Sequence, residues 1–335
     1  MQVRHDVRLA DLTTLAVGGP IERLIEVTES ADLVAAVREA DEAGRPLLVL
    51  GGGSNVVAPD EGWPGDVVAV RTSGIDRRGG ELTVQAGNDW DDVVAFAVEQ
   101  GVAGIEALSG IPGSTGATPV QNVGAYGQEV AQTITAVRVF DRAEKAERTL
   151  TPDECGFAYR DSRLKRDPGR FVVLDVTFLL DESPLSRPVG YAELARTLGV
   201  EIGETAPLAD VREAVIGLRR GKGMVLDPAD PDSRSAGSFF TNPVVDAARA
   251  VDGCPSWPAG DGMVKLSAAW LVQQAGFGRG TREGRVGTSS RHSLALTTEP
   301  GATATELLRF ADRIVATVHE TFGVTLEREP TAVRP

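Results

Sequence analysis

Residues 109–127, SGIPGSTGATPVQNVGAYG, are the most informative stretch of this 335-residue chain. The stretch holds five glycines among serine, threonine, proline and amide residues, and it carries no charged side chain. Glycine lets the backbone adopt φ > 0 and approach a ligand closely. Successive free N–H groups form a concave site whose natural guest is a phosphate. The stretch therefore predicts a loop that binds a phosphate or pyrophosphate.

A second, shorter segment has the same chemistry. Residues 47–55, LLVLGGGSN, form an apolar, strand-like run that ends in three glycines, a serine and an asparagine. A lone glycine cluster is more often only a turn, but the long loop adds Ser, Thr, Gln and Asn donors, and two such segments in one chain favour a dinucleotide. Neither the Rossmann fingerprint nor the P-loop pattern is present, so a different fold is expected to hold this ligand.

Composition places the chain among ordinary globular proteins, with 42% hydrophobic and 24% charged residues. Its length suggests about two or three domains. No apolar run is long enough to span a bilayer, and residues 1–12 lack the apolar core of a signal peptide. The two cysteines, Cys155 and Cys254, are distant in sequence and do not form a disulfide framework. We therefore predict a cytoplasmic protein without a metal site, because there are only three histidines and no C-x-x-C.

The formal net charge of −14 argues against nucleic acid or an anionic membrane as a partner. An anionic nucleotide would then need a local concentration of cations. Two basic clusters are candidates, although a charge run is usually a solvated surface. They contain Arg160, Arg163, Lys165 and Arg166, and further on Arg219, Arg220 and Lys222.

Local patterns indicate a mixed α+β protein rather than a doubly wound sheet. Ser30 and Asn88 are predicted to be the N-caps of helices that end near residues 44 and 100. Further helices are predicted over 208–220, 264–276 and 303–322. Strands are predicted over 47–50, 67–70, 82–87, 134–140, 171–180, 288–298 and 324–329.

Three further segments complete the pattern, although each alone has an ordinary structural explanation. They are FAYRDS at 157–162, SAGSFFTNP at 235–243 and LERE at 326–329. Two consecutive phenylalanines need burial, which would hold Ser238 rigidly at the edge of a cavity. Glu329 would otherwise be a solvated residue near the end of the chain.

Together these motifs closely resemble the UDP-N-acetylenolpyruvoylglucosamine reductases, FAD-dependent enzymes of peptidoglycan precursor synthesis. The resemblance runs nearly end to end, and the order and spacing of the motifs are more specific than any one of them. Tyr191 in VGYAEL, together with GSFF, is similar to the first of the family's two types, in which a loop tyrosine folds over the substrate. The motifs that carry the resemblance are LTTLAVGGP at 12–20, GGGSN at 51–55, residues 109–127, YRDS at 159–162, GSFFTNP at 237–243 and the closing Glu329.

The resemblance implies an α+β fold with an FAD-binding part of the vanillyl-alcohol-oxidase type in two subdomains, in a region of about 16–183. The implied division places the subdomains at 1–66 and 67–208, a UDP-sugar domain at 209–323 and a returning C-terminal strand at 324–335. It also implies non-covalent FAD, NADPH as co-substrate and reduction of UDP-N-acetylglucosamine enolpyruvate to UDP-N-acetylmuramate. A monomer is the default expectation.

The resemblance implies roles for individual residues. Arg160 would stabilise the charge that develops on the substrate carboxylate, Glu329 would assist as a protonated partner, and Ser238 would donate a proton to the α-carbon. The implied FAD-binding residues are Gly51, Gly52, Gly53, Ser54, Asn55, Ser109, Pro112, Gly113, Ser114, Gly116, Ala117, Asn122 and Gly124. The implied substrate-binding residues are Tyr126, Tyr191, Lys222 and Asn242.

Two alternatives stay open at this stage. An FAD oxidase of the same fold, acting on an alcohol or lactone, would explain both glycine segments but would leave Ser238 and Glu329 without a role. Many such oxidases attach flavin covalently through His or Cys, and neither residue type occurs in 51–55 or 109–127. A non-catalytic nucleotide-binding protein would need the glycine segments only, and purified protein that stays colourless with added FAD would favour it.

Overall fold

A computed structural model of the protein describes residues 1–335. The N-terminal part contains a five-stranded mixed sheet, here called the first sheet. Its central strands, Pro20–Val27 and Trp63–Val70, are parallel, and Leu47–Leu50 pairs in parallel with the outer side of Trp63–Val70. The short strands Gln2–Arg4 and Val7–Arg8 pair antiparallel with Pro20–Val27. Because Leu47–Leu50 runs directly into residues 51–55, the first glycine segment begins where a parallel strand ends.

Helix α1, Ser30–Glu42, packs against the first sheet and buries Leu33 and Val37 completely. Ser30 was predicted to be its N-cap, and that prediction is wrong by one position, because Glu29 is the N-cap residue. The Ser30 hydroxyl instead donates to Gln85 Oε1 at 2.8 Å. The hydroxyl is therefore used in a tertiary contact.

The second sheet is five-stranded and antiparallel, and helix α2, Trp90–Glu99, lies beside it. Its strands, in spatial order, are Ala146–Leu150, Ile134–Asp141, Phe171–Leu179, Glu81–Gln85 and Ile75–Arg78. Asp89, not the predicted Asn88, is the N-cap of α2, because its carboxylate accepts from the N–H groups of Asp91 and Asp92. One hydrophobic core joins α1 and α2 to both sheets.

Helices α3 (Pro152–Cys155) and α4 (Arg163–Arg166) lie between the strands Ala146–Leu150 and Phe171–Leu179 of the second sheet. Helices α5 (Ala192–Leu198) and α6 (Leu208–Gly221) connect that sheet to the C-terminal part. Helices α5 and α6 pack on each other and on residues 106–108, which lead into the long glycine-rich loop. Helix α6 thus lies against the segment that carries the predicted phosphate-binding loop.

The C-terminal part has its own core around Phe239, Phe240 and Phe310. It contains helices α7 (Ala268–Gln274) and α8 (Ala304–Phe322) and two antiparallel sheets. One sheet has the order Ser235–Ser238, Ala295–Thr298, Val286–Thr288, Arg282–Glu283, and the other has the order Val244–Asp246, Met263–Leu266, Ser256–Pro258.

Three sequence predictions are corrected in this part. The helix predicted over 264–276 is divided into the strand Met263–Leu266 and helix α7. The strand predicted over 288–298 is interrupted, since regular pairing resumes only at Ala295–Thr298. The strand predicted over 324–329 is reduced to one bridge between Arg328 and Phe240.

The end of the chain returns to the N-terminal part, because Thr331–Ala332 pairs in parallel with Val56–Val57. Two further two-stranded ladders pair Gly124–Ala125 with Gln128–Glu129 and Asp181–Glu182 with Val102–Ala103. Single 3₁₀ turns occupy Leu9–Leu12, Glu106–Leu108, Thr115–Ala117, Val130–Gln132, Pro231–Ser233 and Ala247–Arg249. None of the helices combines the length and the apolar composition that crossing a membrane requires. The architecture is mixed α+β, as the sequence predicts.

Candidate active site

The two glycine-rich segments lie against each other. A Cβ atom on Gly51 would stand 2.1 Å from Ser114 Oγ, and one on Gly52 would stand 2.7 Å from Gly113 Cα. Gly113 itself has φ +130° and faces Ser54 Oγ, which a Cβ would approach to 2.7 Å. Only residues without a side chain fit this contact, so the structure brings the two predicted phosphate-binding segments to one place.

The orientation of the peptide groups in the first glycine segment, residues 51–55, suits the binding of an anion. Its carbonyl groups are turned toward the protein: Gly51 O accepts from Arg71 Nη1 at 3.1 Å, and Gly53 O accepts from Thr14 N at 3.1 Å. Ser54 O accepts from the Thr14 hydroxyl at 3.3 Å. The N–H groups of residues 51–55 donate to no protein acceptor. Free amides beside a glycine cradle fit a pyrophosphate, so these residues fit the diphosphate of FAD.

The first half of the long loop offers mainly backbone to a ligand. Gly116 packs so closely that a Cβ would stand 2.6 Å from Ala86 Cβ. Pro112 is half-buried, and Ala117 is exposed at the end of a 3₁₀ turn. The Ser109 hydroxyl is buried and donates to a backbone carbonyl, Glu106 O, at 2.7 Å. The hydroxyl proton and the backbone N–H of Ser109 are therefore both engaged within the protein, by Glu106 O.

The second half of the loop supports Arg160. The buried Asn122 side chain donates to Glu129 Oε2 at 2.8 Å and to Ala158 O at 3.0 Å. Arg160 donates to Asn122 O at 3.4 Å and also to Gly124 O. A Cβ on Gly124 would stand 2.8 Å from Arg160 Nη1. Asn122 and Gly124 thus hold the guanidinium in place.

Arg160 and Glu329 form an ion pair, with Arg160 Nε 3.3 Å from Glu329 Oε1. The side chains are only 18% and 15% exposed. Burial raises the pKa of Glu329, and the positive charges of Arg160 and Lys165 oppose that shift without cancelling it. The carboxyl of Glu329 is therefore easier to protonate than an ordinary glutamate.

Ser238 directly precedes Phe239, whose backbone carbonyl contacts Glu329, and two buried phenylalanines fix this strand. Phe239 and Phe240 are 0% and 1% exposed, as predicted from the sequence. Glu329 N donates to Phe239 O at 2.9 Å, and Asn55 Nδ2 donates to Glu329 O at 3.3 Å. The half-buried Ser238 hydroxyl has no hydrogen-bond partner in the protein. The Arg160–Glu329 pair thus lies beside the first glycine segment, and the residue after Ser238 contacts the backbone of Glu329.

A second cluster of polar side chains surrounds Lys222. The rings of Tyr126 and Tyr191 meet edge to face, with centroids 5.4 Å apart. Lys222 Nζ lies 5.5 Å from the centroid of the Tyr126 ring and pairs with Glu193 Oε2 at 2.6 Å. Burial raises the pKa of Tyr126 to about 12, so its hydroxyl keeps its proton at neutral pH. The structure therefore brings together three of the four predicted substrate residues.

The fourth predicted substrate residue, Asn242, lies four positions after Ser238. Its Oδ1 accepts from Ala268 N at 2.9 Å, at the start of α7. The amide side chain thus already has a structural role, and its Nδ2 group is the part that remains for a ligand.

The hydrogen bonds that hold both backbone groups of Gly110 were not predicted from the sequence. Asp91 Oδ1 accepts from Gly110 N at 2.6 Å and from Arg212 Nη1 at 2.6 Å. The buried Arg219 donates through Nε to Gly110 O at 3.0 Å and through Nη2 to Met224 O at 2.9 Å. No local sequence pattern signals these contacts, because they join α2, α6 and the long loop. They fix the start of that loop to the helix that ends beside Lys222.

Two family models match this chain. The model described as "UDP-N-acetylenolpyruvoylglucosamine reductase, C-terminal domain" matches residues 228–333, and the "FAD binding domain" model matches residues 21–149. The reductase of that name from Thermobifida fusca (strain YX) is 53% identical, over 98% of this chain and 97% of the relative. The chain belongs to the UDP-N-acetylenolpyruvoylglucosamine reductase family.

Other reductases of this family support the same family assignment. The Streptomyces avermitilis reductase is 51% identical over 99% of this chain and 95% of its own length. The crystal structure of the Thermus caldophilus reductase superposes with a TM-score of 0.71 at 28% identity, over 100% of both chains. These findings confirm the predicted fold class, an FAD-binding part followed by the C-terminal domain of the reductases.

The matched ranges divide the candidate site of this reductase. Both glycine segments lie within the FAD-binding match, and Ser238, Asn242 and Glu329 lie within the C-terminal match. Arg160, Tyr191 and Lys222 lie between the two. The candidate site is thus assembled from both matched regions and from the chain that connects them.

Proposed function

We propose that this chain reduces UDP-N-acetylglucosamine enolpyruvate to UDP-N-acetylmuramate with NADPH, through non-covalently bound FAD, in peptidoglycan precursor synthesis. One observation carries the proposal: the amide cradle of residues 51–55 adjoins Glu329, because Asn55 donates to Glu329 O. A diphosphate site and an acid–cation pair thus share one place. Membership of the reductase family supports the same reaction.

FAD would be held by both glycine segments, with its diphosphate on the free amides of residues 51–55 and on residues 113–117. FAD supplies hydride transfer when bound, from NADPH to the methylene carbon of the enolpyruvyl group. The absence of His and Cys from both segments agrees with a cofactor that is not covalently attached.

Arg160 and Glu329 would act on the carboxylate end of the enolpyruvyl group. Addition of hydride to the methylene carbon drives negative charge onto that carboxylate, which gives an enolate. The Arg160 guanidinium is permanently charged and matches a carboxylate in a forked geometry. A protonated Glu329 can donate a hydrogen bond to the enolate, and its raised pKa supports that state. Preorganised donors of this kind stabilise developing charge.

Ser238 would complete the reduction by giving a proton to the α-carbon. Its hydroxyl has no protein partner that would compete for the proton, and the buried phenylalanines after it hold its strand still. A serine is a weak acid, so the strongly basic enolate is what makes this transfer possible.

Tyr126, Tyr191, Lys222 and Asn242 would hold the sugar and diphosphate of the substrate. Tyr191 is 42% exposed at the start of α5, as suits a side chain that covers a bound ligand. This position supports the first of the two family types. We also propose a cytoplasmic monomer and the four-part domain division at residues 66, 208 and 323.

Half-reactions followed by flavin absorbance test the proposal. The visible flavin absorbance of purified holoenzyme should fall when NADPH is added, and anaerobic addition of UDP-N-acetylglucosamine enolpyruvate should restore it. Reoxidation by oxygen but not by the enolpyruvyl sugar would favour an oxidase. Protein that binds no FAD would favour a non-catalytic nucleotide-binding role.

A further inference from the structure

The first of the two predicted basic clusters lies beside the candidate site, and its members have different partners. Arg163 covers the ring of Phe171, with its Cζ 5.1 Å from the ring centroid. Arg166 pairs with Asp161. Lys165 is on the same helix, α4, is half-buried and has no carboxylate within ion-pair distance. The proposed function gives this lysine no role, so its contacts need an explanation.

Lys165 donates to the backbone of the arginine that pairs with Glu329. Its Nζ lies 2.9 Å from Arg160 O. The side chain of Arg160 extends to Glu329, with Nε 3.3 Å from Oε1. Arg160 thus connects the ammonium group of Lys165 with the buried carboxyl group of Glu329.

Arg160 lies in a tight turn, at a position that arginine does not favour. Ala158 and Asp161 close the turn with two backbone hydrogen bonds, of 2.9 and 3.2 Å. Arg160 inside the turn has φ +54°, in the left-handed region. Glycine or asparagine usually occupies a turn position with positive φ, because a Cβ atom is strained there. Such strain persists only where the surroundings hold the backbone, and Lys165 bonds to the strained residue itself.

Helix α4 gives this hydrogen bond a fixed support. The buried Ser162 hydroxyl at its N-cap donates to Val120 O at 2.6 Å and accepts from Lys165 N at 3.3 Å. Val120 belongs to the long glycine-rich loop, which also accepts hydrogen bonds from the Arg160 guanidinium. Both ends of Arg160 are therefore held to the same loop, and its backbone is held there through Lys165 and α4.

The charge of Lys165 also acts on Glu329. Burial raises the pKa of Glu329, and the positive charges of Arg160 and then of Lys165 oppose that rise. A cation near a carboxylate favours its ionised form. Removal of the ammonium group should therefore raise the pKa of Glu329 further, which loss of a merely structural contact elsewhere would not do.

Three other titratable groups surround the turn. The Tyr159 ring contacts Lys265, whose Nζ lies 4.7 Å from the ring centroid. Burial raises the pKa of Tyr159, so its hydroxyl stays neutral at physiological pH. Glu129 accepts from Asn122 Nδ2 at 2.8 Å. None of these groups is bonded to Lys165, so its replacement leaves their contacts in place.

We propose that Lys165 is a positioning residue of the candidate site: its ammonium group holds the left-handed Arg160 in the turn that directs the guanidinium to Glu329. The inference rests on the proposed function, in which Arg160 acts on the carboxylate of the enolpyruvyl group. Lys165 then matters when charge develops on that carboxylate, and not when NADPH reduces the flavin. Misplacement of a catalytic group by about 1 Å can cost about 10²-fold in rate.

Two substitutions of Lys165 test this role by rapid mixing of the holoenzymes. Lys165→Met removes the charge and the donor at similar side-chain length, and Lys165→Arg keeps both. We expect flavin reoxidation by the enolpyruvyl sugar to slow by about 10- to 100-fold in Lys165→Met, with unchanged flavin reduction by NADPH and unchanged Kd for FAD. Lys165→Arg should recover most of the rate. In a double-mutant cycle with Arg160→Gln, the second substitution should add little, because Lys165 acts through Arg160.

Lys145→Met is the matched control. Lys145 is exposed, its side chain forms no ion pair or hydrogen bond, and its backbone has φ +54°, as that of Arg160 does. The control removes one lysine charge from the protein and should leave both half-reactions unchanged.

Urea unfolding at a series of pH values, at fixed FAD concentration, gives a second readout that needs no substrate. In wild type, the free energy of unfolding should fall as pH rises from 4.5 through the raised pKa of Glu329. Because Lys165→Met raises that pKa, the fall should extend to higher pH. Lys165→Arg and Lys145→Met should follow wild type.

Unchanged reoxidation in Lys165→Met would overturn the proposal. Equal slowing of both half-reactions, or a loss of FAD affinity, would also overturn it, because Lys165 would then support the fold as a whole. Losses that multiply in the double variant would show that Lys165 acts independently of Arg160, and an unfolding curve at the wild-type position would show that its charge does not reach Glu329. A wild-type enzyme that the enolpyruvyl sugar does not reoxidise would instead refute the proposed function, and the unfolding curves would still decide whether Lys165 acts on this pair.

Discussion

At the scale of single residues, a substitution of Ser238 separates the two half-reactions most clearly, because its proposed role belongs to only one of them. Its hydroxyl has no partner in the protein, so Ser238→Ala removes a proton donor and little structure. We expect flavin reduction by NADPH to be unchanged, and reoxidation by the enolpyruvyl sugar to slow by roughly 10²–10⁴-fold. Stopped-flow absorbance measures both rates. Ser73→Ala, an exposed serine without hydrogen bonds, is the control. Equal slowing of both half-reactions would contradict the role given to Ser238.

The raised pKa of Glu329 predicts that the stability of the folded protein depends on pH. Because burial raises its pKa above 4.5, the folded protein keeps this proton to a higher pH than the unfolded chain does. The free energy of unfolding should therefore fall as pH rises from 4.5 through the raised value. Glu329→Gln has no such proton to lose, so its stability relative to wild type should increase across that range.

Urea unfolding at a series of pH values, at fixed FAD concentration, measures this difference. Glu327→Gln removes an exposed carboxylate two residues away and should follow the pH dependence of wild type. If wild type and Glu329→Gln showed parallel curves, Glu329 would titrate as an ordinary surface glutamate and its assignment as a protonated partner would be lost.

The sequence predicts positions for the candidate site, but it does not predict which groups their side chains contact. Asn122 was predicted to bind FAD, yet its side chain is taken up by Glu129, Ala158 and Ala131, and its carbonyl supports Arg160. The Ser109 hydroxyl is likewise occupied. A motif identifies the position, but the hydrogen-bond partners come from other parts of the chain and only the fold supplies them.

At the scale of elements, the contact between the glycine segments predicts loss of flavin affinity in Gly52→Ala. The new Cβ would stand 2.7 Å from Gly113 Cα and 3.0 Å from its carbonyl carbon. Both are backbone atoms, so no side chain can move away, and the segments must separate. Overpacking of this kind costs about 1–3 kcal/mol, and we expect the Kd for FAD to rise about tenfold or more.

Gly217→Ala is the matched control, because a Cβ at this position of α6 meets nothing within 4 Å. It should leave the FAD affinity unchanged and stabilise the helix by about 0.5–1 kcal/mol. Flavin fluorescence during titration of the apoprotein measures both affinities. If Gly52→Ala bound FAD as tightly as wild type, the two segments would not form one cradle.

Helices with a clear local pattern were predicted correctly from the sequence. A strand that exists only because distant strands pair with it was not. Helix α8 has a strong apolar period and a capping box of Thr303 and Glu306, and it was predicted almost to the residue. Residues 264–266 were predicted as helix because an apolar run before a helix gives no separate signal. Their strand exists because Val244–Asp246 and Ser256–Pro258 pair with it.

At the scale of the whole molecule, the active site depends on how the C-terminal part is joined to the first sheet. Thr331–Ala332 pairs with Val56–Val57, immediately after the first glycine segment. Thr298 Oγ1 donates to Leu15 O at 2.6 Å, across most of the chain. The family resemblance implies a returning strand within 324–335, whereas no local sequence pattern predicts the contact of Thr298 with Leu15. Both contacts hold Glu329 and Ser238 beside the FAD cradle, so they are structural requirements of the proposed reaction.

Asp60 provides the most testable of these connections. Its Oδ1 accepts from Ala304 N at 2.7 Å, and its Oδ2 accepts from Thr305 N at 2.9 Å and from the Thr305 hydroxyl at 2.7 Å. A loop of the N-terminal part thus caps α8 of the C-terminal part. Asp60→Ala leaves these N–H groups without their acceptor, and we expect the free energy of unfolding to fall by about 0.5–2 kcal/mol.

Urea unfolding followed by circular dichroism measures this effect. Asp210→Ala removes an exposed carboxylate from the first turn of α6 that accepts no hydrogen bond, so it should change stability by less than about 0.5 kcal/mol. Because Asp60 also fixes α8 relative to the first sheet, Asp60→Ala should weaken FAD binding, whereas Asp210→Ala should not. Equal stabilities of the two variants would mean that Thr303 caps α8 without help, and that the two parts of the molecule are held together elsewhere.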